Sequence, residues 1–201
     1  MIRILVGIFA AAFISTGTAQ AGVLLEPYAG YNALLVDFTL GSAAGAAAGQ
    51  GFKSDATGVG FGARLGFTLP MFFAAVDYSS ATLKNSLKDV PVGLPVSATD
   101  TTNTNLGLTA GLNLAIVRPY FTYIFDSQSK SDSSTTFGTG YRFGLGFKIV
   151  PMVSVNLEYA MATYTKSKDT AGTETTIDDA GFFKSVKASG YALTVSAPFS
   201  F

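Results

Sequence analysis

The chain has no cysteine, no histidine and no tryptophan. Without cysteine it can form neither a disulfide nor a thiolate metal site. Without histidine it lacks the side chain that enzymes use most often as a general base. Charge is also sparse, because only 13% of the 201 residues are charged, against roughly 25% in average soluble domains. Basic and acidic residues are equal in number, so nothing indicates a nucleic-acid partner.

The first 21 residues have the three parts of a secretory signal peptide. Arg3 supplies the positive charge, Ile4 to Ile14 form an apolar segment, and Ala19-Gln20-Ala21 is a cleavage site. This apolar segment of about eleven residues is too short to span a bilayer, which needs roughly 20. We expect cleavage after Ala21, which leaves residues 22–201 as one mature domain. No later segment is predicted to be a transmembrane helix.

A stretch from Ala56 to Ser80 alternates strictly between two kinds of residue. Apolar or small side chains occupy one set of positions, and glycine or polar side chains occupy the other, which predicts strands with two unlike faces. A two-residue turn at Pro70-Met71 would place Arg64 opposite Asp77. The polar face is mostly glycine, whereas a soluble exterior carries dense lysine and glutamate. The apolar face is therefore predicted to point outward, as in a transmembrane β-barrel.

The same alternation recurs along the chain and predicts eight strands. They cover residues 23–36, 56–69, 72–80, 103–114, 118–126, 136–149, 152–164 and 186–201. Polar loops are predicted at 37–55, 81–102, 127–135 and 165–185, and short turns join the other strand pairs. Long loops that alternate with short turns are typical of outer-membrane barrels. The fold class is therefore predicted to be all-β, an eight-stranded antiparallel transmembrane β-barrel.

Seven charged residues of the predicted strands fall on the inward face, whereas Lys187 has the outward phase and is predicted to lie at the loop end of the last strand. The seven are Glu26, Arg64, Asp77, Arg118, Arg142, Lys148 and Glu158. For Arg118 the alternation does not decide between the inward and the outward face, because both faces of that strand are largely apolar. Lysine or arginine at mid-depth on the lipid face would cost roughly 2–4 kcal/mol, so the inward phase is favoured. Glu26, Arg64, Asp77, Arg118, Arg142 and Glu158 are predicted to form a polar core in the lumen. The large inward side chains Tyr28, Phe73 and Tyr120 are predicted to lie over the glycines of the second and sixth strands. Together with the charged residues they are predicted to plug the lumen.

The whole mature chain resembles the small eight-stranded outer-membrane barrels of Gram-negative bacteria, the group of outer membrane proteins X, W and A. The likeness rests on the signal, the opening LEPYAGYN, the glycine-alternating strands, the Pro-Met turns and a last strand that ends at Phe201. It implies a monomer in outer-membrane lipid, with both termini in the periplasm. It also implies an assembly signal for the barrel-assembly machinery at Tyr191, Val195, Phe199 and Phe201. The missing tryptophan and the alanine-glycine first loop depart from the group.

Catalysis and metal binding are both weakly indicated. Resemblance to the enzymes among the small outer-membrane barrels would imply an active-site histidine as the base. The chain has no histidine, so those mechanisms are excluded in their known form and no catalytic residue is predicted. Glu26, Asp77 and Glu158 could form an acid/base pair, but neutralising the arginines is the commoner role. Asp169, Glu174, Asp178 and Asp179 could hold a hard cation, although a solvated loop is favoured. The outward aromatics Tyr31, Phe67, Phe72, Tyr78, Tyr141 and Phe199 are predicted to face lipid and its interface rather than a ligand.

The function predicted from these features is non-enzymatic. We expect a structural or surface-interaction protein that acts through its extracellular loops, without cofactor, and with an extracellular partner that the sequence does not identify. The alternative, implied by the resemblance to outer membrane protein W, is a narrow conduit for small molecules, including hydrophobic ones.

Overall fold

The computed structural model describes residues 22–94, 97–150, 152–178 and 180–201. The predicted signal peptide lies outside these residues, so its cleavage stays a prediction. The strands are β1 Gly22–Leu40, β2 Gly51–Thr68, β3 Phe72–Lys88, β4 Thr101–Leu112, β5 Val117–Lys130, β6 Ser134–Val150, β7 Val153–Asp169, β8 Glu174–Thr176, β9 Phe183–Ser196 and β10 Phe199–Ser200. A short 3-10 helix covers Ser42–Ala47. Over the described ranges, no helix has both the length and the apolar character needed to cross a membrane.

Eight long strands, β1 to β7 and β9, close into a ring of antiparallel pairs. Each strand pairs with the next along the chain, β9 pairs with β7, and β1 pairs with β9 to complete the circle. The short β8 pairs with β7, and β10 continues the line of β9 along β1. The prediction of an eight-stranded antiparallel barrel is confirmed. A closed ring satisfies the backbone hydrogen bonds that a bilayer cannot satisfy.

The two faces of the wall have the predicted characters. Outward side chains such as Phe61 and Leu193 are well exposed, whereas inward Arg64 is fully buried. The phase chosen for β5 is right, because Arg118 is buried and Phe121 is exposed. Tyrosines lie on the outer face about halfway along the strands, below the end of the barrel that carries the longer connections: Tyr31, Tyr78, Tyr123, Tyr141, Tyr159 and Tyr191. Tyrosine is typical of the boundary between lipid and water, so these residues mark one edge of the membrane-embedded band.

The strands extend further past the tyrosines than the sequence predicted. The predicted loop 37–55 contains the end of β1, the 3-10 helix and the start of β2. The predicted loop 81–102 is strand as far as Lys88, and the predicted loop 127–135 shrinks to a turn at 131–133. These predictions were wrong because serine, threonine and charged residues replace the apolar outward positions there. Outside the membrane a strand meets water, so its outward face can be polar while its backbone pairing continues.

Bulges interrupt the alternation near the same end. The register of β5 against β6 shifts between Ile124 and Ser127, and that of β6 against β7 shifts between Phe137 and Gly138. An extra residue in one strand exchanges the inward and outward positions beyond it. Ser127 is consequently fully buried, although it continues the positions of outward Phe121. The sequence gives no sign of these shifts.

The last residues complete the ring beside β1. Phe199 pairs with Leu25, and Val23 exchanges backbone hydrogen bonds of 2.9 and 3.1 Å with Phe201. The Phe201 ring is 80% exposed and shares the outward phase of Tyr191 and Val195. The structure thus places the four predicted assembly-signal residues on the lipid-facing phase, and their recognition by the assembly machinery stays a prediction.

Candidate functional site in the barrel lumen

Six charged side chains meet in the middle of the lumen and form what we name the lumenal charge cluster. Each comes from a different strand: Glu26 from β1, Arg64 from β2, Asp77 from β3, Arg118 from β5, Arg142 from β6 and Glu158 from β7. None of them is more than 6% exposed. They are the six residues that the sequence predicted for the polar core. Three guanidinium groups face three carboxylates, so the cluster carries no net charge.

Arg64 is the centre of the cluster. Its Nε lies 2.8 Å from Oδ2 of Asp77, the residue opposite it in the β2–β3 register, as the turn geometry predicted. Its Nη2 lies 2.8 Å from Oε1 of Glu158, and its Nη1 lies 3.3 Å from Oε1 of Glu26. A guanidinium carries five donors in a planar fork, so one arginine can serve three carboxylates. Arg64 therefore ties together strands from different sides of the ring.

The two other arginines complete the neutralisation. Arg142 lies 3.7 Å from Glu158 and 3.5 Å from Asp77. Arg118 forms a bidentate pair with Glu26, with distances of 3.0 and 3.1 Å. Each carboxylate thus lies between two guanidinium groups. The contacts of Arg64 with Glu158 and of Arg118 with Glu26 were not predicted, because they join residues more than 90 positions apart.

Two tyrosines enclose Arg64. Its guanidinium carbon lies 4.6 Å from the ring centre of Tyr28 and 4.3 Å from that of Tyr120, within the range of cation–π attraction. The Tyr28 hydroxyl donates to Asp77 over 2.6 Å, and the Tyr120 hydroxyl donates to Glu158. These rings fill the space that the charged groups leave between them.

Glycines in the wall make room for the large inward rings. A Cβ atom at Gly62 of β2 would collide with the Tyr28 ring, and one at Gly144 of β6 would collide with the Tyr120 ring. This is the packing predicted for the second and sixth strands. Phe73 lies instead against Gly111 of β4, so its predicted place over the second or sixth strand is wrong. The inward rings and the charged groups thus pack together in the middle of the lumen.

The acidic residues offered by the sequence as a cation site have other roles. Asp169 accepts a hydrogen bond of 2.8 Å from the Thr173 N–H, and Asp178 accepts two of 3.0 Å from the N–H groups of Ala180 and Gly181. Both carboxylates therefore stabilise turns. Asp179 lies outside the described residues, and no three acidic side chains within them are grouped as metal ligands would be.

A closed eight-stranded barrel with an apolar exterior and a charged lumen defines an outer-membrane β-barrel protein. The chain belongs to the outer membrane protein beta-barrel domain family, whose model matches residues 7–199. Its place is accordingly the outer membrane.

Solved structures of two small barrels are similar to this chain. Ail, the attachment invasion locus protein of Yersinia pestis, superposes with a TM-score of 0.52 at 15% identity and covers 88% of this chain and 98% of its own. Ail in complex with the heparin analogue sucrose octasulfate gives 0.51 at 13% identity, with 89% and 99% covered. Neisserial surface protein A gives 0.48 at 18% identity, with 89% and 99% covered. No curated protein sequence matches the chain. At these identities the likeness to Ail supports the fold alone.

Proposed function

We propose that this protein is a non-conducting, non-enzymatic barrel that acts at the cell surface through the end carrying its longer connections. The observation that supports this proposal most strongly is the lumenal charge cluster. Arg64 lies in the middle of the lumen with three carboxylate partners. A solute could pass only if these buried ion pairs separated. Breaking even one buried pair costs roughly 3–5 kcal/mol, so the cluster favours a plug over a conduit.

The same cluster argues against catalysis in the lumen. Glu26, Asp77 and Glu158 are each held by two arginines and are nearly inaccessible. A general acid or base must reach a substrate proton within hydrogen-bond distance. Carboxylates that are buried and fully engaged do not meet this requirement, and the chain has no histidine to replace them.

The end of the barrel beyond the tyrosines offers the surface through which the protein would act. Exposed side chains of both signs lie there on neighbouring strands: Asp37, Lys53, Asp55, Lys84, Lys88 and Lys187. Lys53 lies 3.8 Å from Asp37, and Lys88 is paired with Asp55. Exposed pairs of this kind contribute only about 0–1 kcal/mol, so a partner could replace them at little cost. In outer-membrane barrels the longer loops are extracellular and the short turns periplasmic, which orients both termini toward the periplasm.

Single cysteines can test this orientation, because the chain contains no cysteine of its own. Ala46→Cys places a thiol in the exposed 3-10 segment, and Met71→Cys places one in the short turn at the opposite end. We expect a bulky maleimide that cannot cross the outer membrane to label Ala46→Cys on intact cells. Met71→Cys should react only after the outer membrane is permeabilised. The reverse pattern would put the longer connections in the periplasm and would overturn the surface role.

A further inference from the structure

The lumen is not filled along its whole length. Between the lumenal charge cluster and the longer connections lies a cavity of about 260 Å³, which we name the loop-side cavity. It is enclosed by the parts of the strands that extend past the tyrosines. Neither the closed lumen nor the surface role requires this space.

One wall of the loop-side cavity is apolar and aromatic. Phe38 and Phe52 stack with ring centres 4.7 Å apart, and Phe183 packs against both at 5.5 and 6.3 Å. Val36 and Val186 continue this wall. Rings already packed against one another hold their positions, so the wall is preformed for an apolar group.

The facing wall carries hydroxyl groups. Ser129, Ser134 and Thr136 line it from β5 and β6, and Thr101 lines it from the start of β4. The bulge after Ile124 turns Ser129, at the end of β5, toward the lumen. A cavity with one apolar wall and one hydroxyl-bearing wall matches a molecule that has both an apolar and a polar part.

The lining of the loop-side cavity is uncharged. Of the described residues that line the loop-side cavity, none is acidic or basic. An ionised ligand would lose its hydration there without gaining a countercharge, which is strongly unfavourable. The cavity therefore selects against ions.

The buried amide of Asn103 marks the inner end of the cavity. Asn103 is 93% buried, and its Nδ2 donates to the Tyr164 hydroxyl over 2.9 Å. Its Oδ1 has no hydrogen-bond partner among the described residues. This oxygen is itself shielded from solvent, so Asn103 closes the inner end of the cavity and offers no acceptor to a ligand there.

We propose that the loop-side cavity binds a small uncharged amphiphile, with its apolar part against Phe38 and Phe52 and its hydroxyl or amide group against the hydroxyl-bearing wall of Ser129, Ser134 and Thr136. The size fits, because an apolar cavity of about 150 Å³ already holds benzene. Beyond Asn103 only about 60 Å³ of space remains, bounded by Tyr28, Arg142 and Glu158 of the closed section. The ligand consequently enters and leaves by the same end and is bound without being transported.

The test measures binding of 2-naphthol, which is uncharged at neutral pH, to the protein in nanodiscs of phosphatidylcholine. We expect saturable binding with one site per barrel. Val36→Trp fills the cavity from β1 and should weaken binding at least tenfold. Leu35→Trp, the next residue along the strand with the opposite phase, should leave it unchanged. Unboiled and boiled gel mobility checks that each variant is folded.

A second substitution keeps the test decisive if Val36→Trp does not fold. Thr136→Val keeps the side-chain size and removes a hydroxyl from the facing wall, so it should weaken 2-naphthol several-fold and leave naphthalene unchanged. Naphthalene-2-sulfonate should not bind at all. Equal binding of 2-naphthol to the unmodified protein and to the folded variants would show partition into lipid only and would overturn the site. Tight binding of the sulfonate would overturn the assignment of an uncharged ligand.

Discussion

Replacing Arg64 by alanine is expected to lower the free energy of unfolding by about 3–5 kcal/mol, the range for removing one partner of a buried ion pair. The guanidinium is fully buried and serves Asp77, Glu158 and Glu26 at once. Its loss leaves two arginines against three carboxylates among buried side chains. The effect can be measured by urea unfolding of the barrel in lipid vesicles.

Matched variants separate this loss from a general effect of losing a cation. Lys84→Ala removes an exposed lysine from the outer face of β3 and should change the stability by less than about 0.5 kcal/mol. Combining Arg64→Ala with Asp77→Ala should recover part of the loss, because the second change removes a carboxylate left without its partner. Equal destabilisation by Arg64→Ala and Lys84→Ala would contradict the structural role of the cluster.

Replacing Phe201 by aspartate is expected to reduce the folded protein in cells several-fold, whereas Ser200→Asp should have little effect. Phe201 has the lipid-facing phase, since it pairs with exposed Val23. Ser200 has the lumenal phase and lines a space that also contains Arg118 and Lys148. A carboxylate at position 200 would therefore meet cations, and one at position 201 would face the membrane boundary. The folded fraction is read from unboiled gels of outer-membrane extracts.

The size of the effect distinguishes assembly from stability. A charge on the lipid face near the interface costs only about 0–1 kcal/mol, so refolding of purified Phe201→Asp into vesicles should be nearly normal. A large loss in cells together with normal refolding in vesicles would indicate that the terminal aromatic is needed for assembly. Equal losses from Phe201→Asp and Ser200→Asp in cells would contradict the phase of the last strand.

The barrel and its polar core could be predicted because the membrane imposes a strict chemical difference between the two faces of each strand. A charge such as Arg142 or Glu158 has only one tolerable direction inside the bilayer, so its phase fixes the phase of the whole strand. The tight turn at Pro70-Met71 fixed one register, and with it the contact of Arg64 with Asp77. These are local consequences of spacing, and a single sequence contains them.

The remaining contacts depend on features that spacing does not record. The bond between Arg64 and Glu158 requires the stagger at which the ring closes, which brings together residues 94 positions apart. The hydroxyl wall of the loop-side cavity requires the bulge after Ile124, where the alternation reverses without a glycine or proline to announce it. The strand ends were missed for a different reason, because their outward residues face water and follow no apolar pattern.

The closed lumen is tested most directly by planar-bilayer recording of the unmodified protein. Because the lumenal charge cluster fills the cross-section with paired charges and packed rings, we expect bilayers that contain the folded barrel to stay at the baseline current. Insertion is verified separately by recovery of heat-modifiable protein from the same lipid. A steady, large and ohmic conductance from this protein would contradict the plugged lumen and favour the conduit.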